Sequence, residues 1–311
     1  MTGLRNHVVA GVAGGRASRD AVAYAAHEAA LRGTALELLH VIPPDLPLSA
    51  RPLHRAGSLQ AFGSATLKEA ERVALEAARV PVTLTLTSGR RAESLLTGAE
   101  RAALLVVGAP RAVVSARPHP GSVVTAAVLD APCPAVVVPC DGWPQTSVPR
   151  VVVGLKWPPH GDEALLGEAF DLAERRHCDV KVVHACKVHP AHGDLLAQTR
   201  HDPGWMAGLA ALIDDRLAPL RRGHPAVRVG VDVVCASPGE ALSSAALPGT
   251  VVLLSRTTGW WPGRVLGPTT RGVLQHAQCP VEVVPVTFEH EPDPRHPLAR
   301  SASAAPARSP R

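Results

Sequence analysis

The chain has 311 residues, a formal net charge of +5 and 46% hydrophobic residues, enough length for two ordinary domains and a composition that excludes a disordered or fibrous protein. Aromatic residues at 3% argue against a stacking platform for single-stranded nucleic acid, and the arginines are scattered over the chain as a solvated surface would have them. No apolar run approaches the roughly 20 residues of a membrane span.

His7–Val12 reads as a buried strand. A turn through Ala13, Gly14 and Gly15 leads to Ser18, which reads as the N-cap of a helix from about Arg19 to Arg32. Ala35 to Val41 is a second strand, stopped by Pro43 and Pro44, and a Pro- and Gly-bearing loop is expected to about Gly63. Thr66 and Glu69 stand at capping-box spacing before a helix from Leu67 to Arg79. A third strand covers Val82–Thr87, a helix Ala92–Arg101, and a fourth strand the apolar run ending at Val107. The stretch GAPRAVVSARPHPGS, Gly108–Ser122, then opens a helix-like run from Val123, and a fifth strand covers Ala135–Pro139. Strands alternating with helices specify a parallel sheet covered on both faces.

After 142–149, which reads as a linker, the pattern restarts. Strands are expected at Arg150–Leu155, Asp179–Cys186, Val227–Val234, Thr250–Ser255 and Val281–Val286, with helices at Asp162–His177, Trp205–Arg221, after Ser237 and after Gly267. Gly11 and Gly154, His40 and His184, and Cys133 and Cys279 stand at matched places, so the chain holds two copies of one five-stranded unit. The expected boundaries are 1–141 and 150–286 for the units. Residues 287–311, Pro-, Ser- and Arg-rich, read as a disordered solvating tail.

Three ordered features recur in both copies: the strand-turn-helix opening (HVVAGVAGGRASRDAVAYAAHEA, VVVGLKWPPHGDEALLGEAFDLAER), the fourth strand with its loop, and the closing segment (GSVVTAAVLDAPCPAVVVP, GPTTRGVLQHAQCPVEVVP). The set resembles a tandem member of the universal stress protein family. The resemblance implies an α/β fold of two Rossmann-like (adenine nucleotide alpha hydrolase-like) domains. Each would be a five-stranded parallel sheet in doubly wound 3-2-1-4-5 order, and the two would pair through their last strands as an intramolecular pseudo-dimer. It also implies a role in stress adaptation and a nucleotide loop of the form G-x2-G-x9-G-[S/T], which Gly108, Gly121 and Ser122 match while Arg111 replaces the second glycine. On that resemblance Gly14, Val41, Gly108, Arg111, Gly121, Ser122 and Val123 would line a site for ATP or AMP, confined to the first copy.

The departures argue for weak binding. The family's aspartate after the first strand is Ala13 here, and a lost charge-assisted hydrogen bond costs about 1.5–3 kcal/mol. In the second copy that place is Lys156, followed by Trp157, and counting back from Cys279 sets Leu254, Thr257 and Gly267–Pro268 at the loop positions. The second copy is therefore expected to hold no nucleotide. The alternative for the whole chain is a nucleotide-free module that contacts a protein partner through its surface or basic tail; whether the chain also forms a homodimer is left open.

None of the 15 histidines forms His-x3-His on a helix or joins a Cys pair, so no metal site is expected; His189 and His192 merely share a loop. The six cysteines form no C-x2-C pair, and Cys133 and Cys279 read as small buried hydrophobes. Free thiols and the absence of an apolar leader fit a reducing cytoplasm. No nucleophile elbow or P-loop is present, and no base can be nominated beside Ser122, so no enzymatic activity, no catalytic residue and no required cofactor are expected.

Overall fold

Ten strands pair into a single sheet in the computed structural model, which describes residues 7–44, 56–110, 122–141, 150–156, 162–186, 203–247, 250–256 and 266–285. The first half runs β1 (His7–Gly11), α1 (Arg16–Leu31), β2 (Ala35–Ile42), α2 (Ala56–Ala77), β3 (Val82–Ser88), α3 (Arg91–Gly98), β4 (Leu104–Ala109), α4 (Val123–Asp130) and β5 (Ala135–Pro139). The second half runs β6 (Arg150–Gly154), α5 (Glu163–Arg175), β7 (Asp179–Ala185), α6 (Pro203–Gly223), β8 (Val229–Val234), α7 (Pro238–Ala245), β9 (Thr250–Arg256), α8 (Pro268–His276) and β10 (Val281–Pro285). The sheet order is β3-β2-β1-β4-β5-β10-β9-β6-β7-β8. All pairings within a half are parallel. The halves join edge to edge where β5 and β10 pair antiparallel, with Val281 opposite Val137, Glu282 opposite Val136 and Val283 opposite Ala135.

Period-two alternation sends successive strand residues to opposite faces. Where both faces are covered, as in β1, β4, β5, β6 and β9, the strands read as unbroken apolar runs, while the edge strands β3 and β8 carry polar residues and stay partly exposed. Val8, Ala10, Leu36, Leu38, Leu104 and Val106 pack under α1 and α2, and their counterparts in the second half pack under α5 and α6. Val9, Leu39, Leu105 and Val107 face α3 and α4, with α7 and α8 continuing that layer.

Two helix starts differ from the sequence reading. α1 begins at Arg16 with Gly15 as N-cap, and Ser18 lies inside the helix, its Oγ accepting from the Ala13 N–H at 3.2 Å. α2 begins at Ala56, inside the stretch expected as loop. Thr66 is therefore mid-helix, and its hydroxyl donates to the Phe62 carbonyl at 2.9 Å. Gly63 explains why this part of α2 does not look helical: a Cβ there would come within 2.7 Å of Leu86 and 3.1 Å of His40. The residue that weakens helix propensity is the one that lets α2 lie close to the sheet.

The seam between halves carries a charged cluster that the sequence reading did not foresee. α1 and α5 lie over β5 and β10, and Glu28, with no solvent exposure, accepts from the guanidinium of Arg176, whose Nε is 3.1 Å away. Arg32 bonds Glu28 at 3.3 Å and crosses to Glu168 at 2.8 Å, where Arg175 also binds at 2.8 Å. Arg176 sits 5.3 Å from the centroid of the buried Tyr24 ring. Beneath them Glu282 is fully buried on β10, and neither of its carboxyl oxygens has a hydrogen-bond partner among the described residues. The two C-terminal arginines of the paired helices, Arg32 and Arg176, cap α1 and α5 at equivalent places and each reaches across to the other half.

Candidate functional site

The strand order of the first half reverses direction between β1 and β4, so the crevice beyond their carboxyl ends is the natural ligand position of such a sheet. β1 delivers Val12, Ala13, Gly14 and Gly15 there, β2 delivers Val41, β4 delivers Gly108, and the start of α4 supplies Ser122 and Val123. Gly14 and Gly15 both have positive φ, +79° and +77°, which only glycine adopts without strain. They turn the chain from β1 into α1, and Gly15 leaves the α1 N-terminus without a side-chain cap. At α4 the Ser122 Oγ accepts from the Thr125 N–H at 3.4 Å, a long N-cap bond.

Gly108 is needed for packing. A Cβ there would fall 2.2 Å from the carbonyl oxygen of Ala17, so the end of β4 lies directly against the first turn of α1. Val41 is 7% exposed and joins the core on the α3/α4 face. Arg111 and Gly121 lie outside the described residues, as do the loop between them, the linker, His189, His192 and the tail. Of the named site residues, the structure thus sets Gly14, Val41, Gly108, Ser122 and Val123 along one edge of the sheet.

A cleft of about 340 Å³ opens beside this edge, between α1 and α2. Gly14 lines it; Val41, Gly108, Ser122 and Val123 do not. Its far wall is α2, where Phe62, Thr66 and Glu69 recur at helical spacing on one face. Sequence reasoning missed this wall because the early turns of α2 carry the Gly and Ser signals of a loop. Glu69 pairs with Arg19 across the cleft at 3.2 Å and with Arg72 at 2.7 Å. The Arg72 hydrogen bond holds its carboxyl below the usual carboxylate range.

Under the same edge, the buried His40 directs Nδ1 to the Val12 carbonyl at 2.8 Å, and His184 repeats the contact with the Leu155 carbonyl at 3.0 Å. A carbonyl only accepts, so each Nδ1 carries the proton. These histidines hold the exits of β1 and β6. Asp20, Cys140 and Asp141 bring possible ligand atoms within 4.8 Å of one another beside α1. Asp141 already pairs with Arg16 at 2.7 Å, and Asp20 accepts from the Asp141 N–H at 2.8 Å.

In the second half, strand register corrects the sequence count. Gly11 pairs with Val107 in the first half, and the β6–β9 ladder carries Gly154 to Leu254. A Cβ on Gly11 would meet Val107, and one on Gly154 would meet Leu254. Leu254 is therefore the counterpart of Val107, and Ser255 stands in the place of Gly108. The one-residue difference arises because Val107 to Cys133 spans 26 positions (133 − 107) and Leu254 to Cys279 spans 25 (279 − 254). The glycine is replaced under either alignment. The α8 N-terminus carries Pro268 at its start, which removes one backbone N–H from that end.

A family model described as the universal stress protein family matches residues 5–139 and 148–285. The chain is 27% identical over 307 residues to universal stress protein Rv1996 of Mycobacterium tuberculosis, covering 89% of this chain and 94% of that one. It is 28% identical over 287 residues to universal stress protein Rv2005c of the same organism, covering 89% and 96%. In fold it is similar to a universal stress protein from Archaeoglobus fulgidus, with a TM-score of 0.66 at 14% identity, covering 92% of this chain and 98% of that chain. No helix among the described residues is long and apolar enough to cross a membrane.

Proposed function

Because the chain belongs to the universal stress protein family, we propose that it is a non-enzymatic stress-adaptation protein whose first half binds an adenine nucleotide, ATP or AMP, weakly. The observation that carries this reading is the pair of helix N-termini at one sheet edge: α1, left uncapped by Gly15, and α4, which starts at Ser122 and Val123. Backbone N–H groups and helix dipoles at such ends favour a phosphate. Gly14, Val41, Gly108, Arg111, Gly121, Ser122 and Val123 would line the site, with Arg111 offering a guanidinium to a phosphate oxygen. Ala13 in place of an acceptor carboxylate keeps the affinity low. The second half, with Lys156, Ser255 and Pro268 at the matching places, would serve as a packed partner that holds no nucleotide.

On this reading the halves, 1–141 and 150–286, form an intramolecular pseudo-dimer in the cytoplasm, closed by β5 and β10. The carboxylate missing at Ala13 equally supports a nucleotide-free module that meets a protein partner through its surface or tail. Protein purified from its native cells, denatured and analysed by chromatography and mass spectrometry, separates the two. Release of an adenine nucleotide in substoichiometric amount is expected of the first reading. Complete absence, together with a protein co-purifying with the full chain and lost on removal of residues 287–311, is expected of the second.

A further inference from the structure

The second half carries a pair of cysteines at the carboxyl edge that no nucleotide reading uses. β7 and β8 pair in parallel with Ala185 opposite Val234, and the ladder continues one step further, the Cys186 N–H donating to the Val234 carbonyl at 2.9 Å. Cys186 and Cys235 are therefore the next pair in register, each just past the end of its strand. In the first half the matching register places Ile42 opposite Ser88, so the thiols are particular to the second half. Adjacent strands set their Cα atoms about 4.8 Å apart, inside the ~4.4–6.8 Å range that a disulfide spans.

We propose that Cys186 and Cys235 form a redox-active dithiol that a hydroperoxide converts to an intramolecular disulfide. Neither cysteine is in a disulfide. Cys235 is exposed and Cys186 half-buried, whereas Cys133, Cys178 and Cys279 are buried. Burial, and after it the neighbouring Cys235, pushes the Cys186 thiol up, so the two groups are close enough to sense each other's charge. Each cysteine lies one residue beyond its strand, so the disulfide would close at the end of the ladder.

Exposure assigns the order of events. The Cys235 thiolate attacks one oxygen of the peroxide; an S–O bond forms, the O–O bond breaks, and water or an alcohol leaves. Cys186 then attacks the Cys235 sulfur; the S–S bond forms, the S–O bond breaks, and the hydroxyl leaves as water with the Cys186 proton. Two thiols and one hydrogen peroxide give one disulfide and two waters. The product would tie the ends of β7 and β8 together at the edge from which α7 departs.

Full-length protein treated with equimolar hydrogen peroxide, alkylated and digested with trypsin tests this directly. Cleavage after Lys181, Lys187, Arg228 and Arg256 places each cysteine in its own peptide. The expected result is a linked pair of those peptides, formed with a second-order rate constant, in protein and peroxide, that does not change with protein concentration and is several-fold higher than in urea-denatured protein. Cys186→Ser should leave a Cys235 sulfenic acid that dimedone traps several-fold more than in the parent, and Cys235→Ser should abolish trapping there. Complete alkylation of both cysteines after peroxide, a disulfide between two molecules, or a link from Cys235 to another cysteine would overturn the proposal.

Discussion

Arg176 ends the first helix of the second half and donates through Nε, at 3.1 Å, to Glu28 on the first helix of the first half. Their side chains are 7% and 0% exposed, so the bond joins two segments 148 residues apart in a place water does not reach. Burial alone would push the Glu28 carboxyl up; the Arg176 and Arg32 guanidinium groups more than reverse this, and it lies below its ordinary value. The halves are thus held by β5–β10 backbone bonds on one side and by paired charges over them on the other.

Removing one member of such a pair leaves its partner charged and buried, which costs about 3–5 kcal/mol. Glu28→Ala should therefore lower the urea-unfolding free energy of the full chain by that amount. Adding Arg176→Ala to it should cost little more, because both changes remove one interaction. Additive losses in a double-mutant cycle would show that the pair is not coupled.

Glu282 should make stability fall as pH rises. Burial, with Glu168 and Glu28 nearby outweighing Arg32 and Arg175, pushes its carboxyl up to about 8 from an ordinary 4.5. The folded chain keeps a proton that the unfolded chain releases, so the contribution is fully present below about pH 4.5 and is lost as pH rises through about 8. Each tenfold difference in proton affinity between the folded and unfolded chain is worth about 1.4 kcal/mol, so the change is on the order of several kcal/mol. Glu282→Gln, which stays neutral, should unfold later than the parent at pH 9 and show a flatter profile between pH 5 and 8. Parallel profiles for the two proteins would refute it.

Gly108→Ala should destabilise the fold whether or not a ligand binds. The new methyl would meet the Ala17 carbonyl at 2.2 Å, and forcing atoms into a packed site costs about 1–3 kcal/mol. Thermal unfolding without nucleotide reads this effect. An unchanged Tm would mean that β4 and α1 separate easily, and that Gly108 is free to serve a ligand alone.

The strands, the repeat and the two-faced packing were legible because unbroken apolar runs and Gly, Pro and Ser punctuation are local signals. The start of α2 was not, since Gly57, Ser58, Gly63 and Ser64 read as loop, while the close approach of Gly63 to His40 and Leu86 depends on residues distant in sequence. The seam cluster depends on partners 136 and 148 residues apart. Its one local trace was Glu282 in an otherwise apolar strand, where the first half has Val136. The offset by one at Leu254 came from counting back through a loop of unequal length; ladder register settles the match at Ser255. At the candidate site, Ala13 and the glycine turn were readable, but the α2 wall of the cleft was not.

Ala13→Asp should strengthen nucleotide binding. A carboxylate at this exposed turn restores an acceptor for a ligand hydroxyl or amine. A charge-assisted hydrogen bond of about 1.5–3 kcal/mol corresponds to roughly one to two decades in Kd. Fluorescent-nucleotide displacement from parent and variant gives the ratio, and equal affinities would place the ligand elsewhere than at the β1 exit.

Calorimetric titration of the full chain with ATP, carried to millimolar concentration, bears most directly on the proposed site. Weak saturable binding at one site per chain is expected, lost when Gly121 is replaced by leucine and kept when Ser255 in the second half is replaced by alanine. No heat of binding at millimolar ATP, or two equivalent sites per chain, would contradict it.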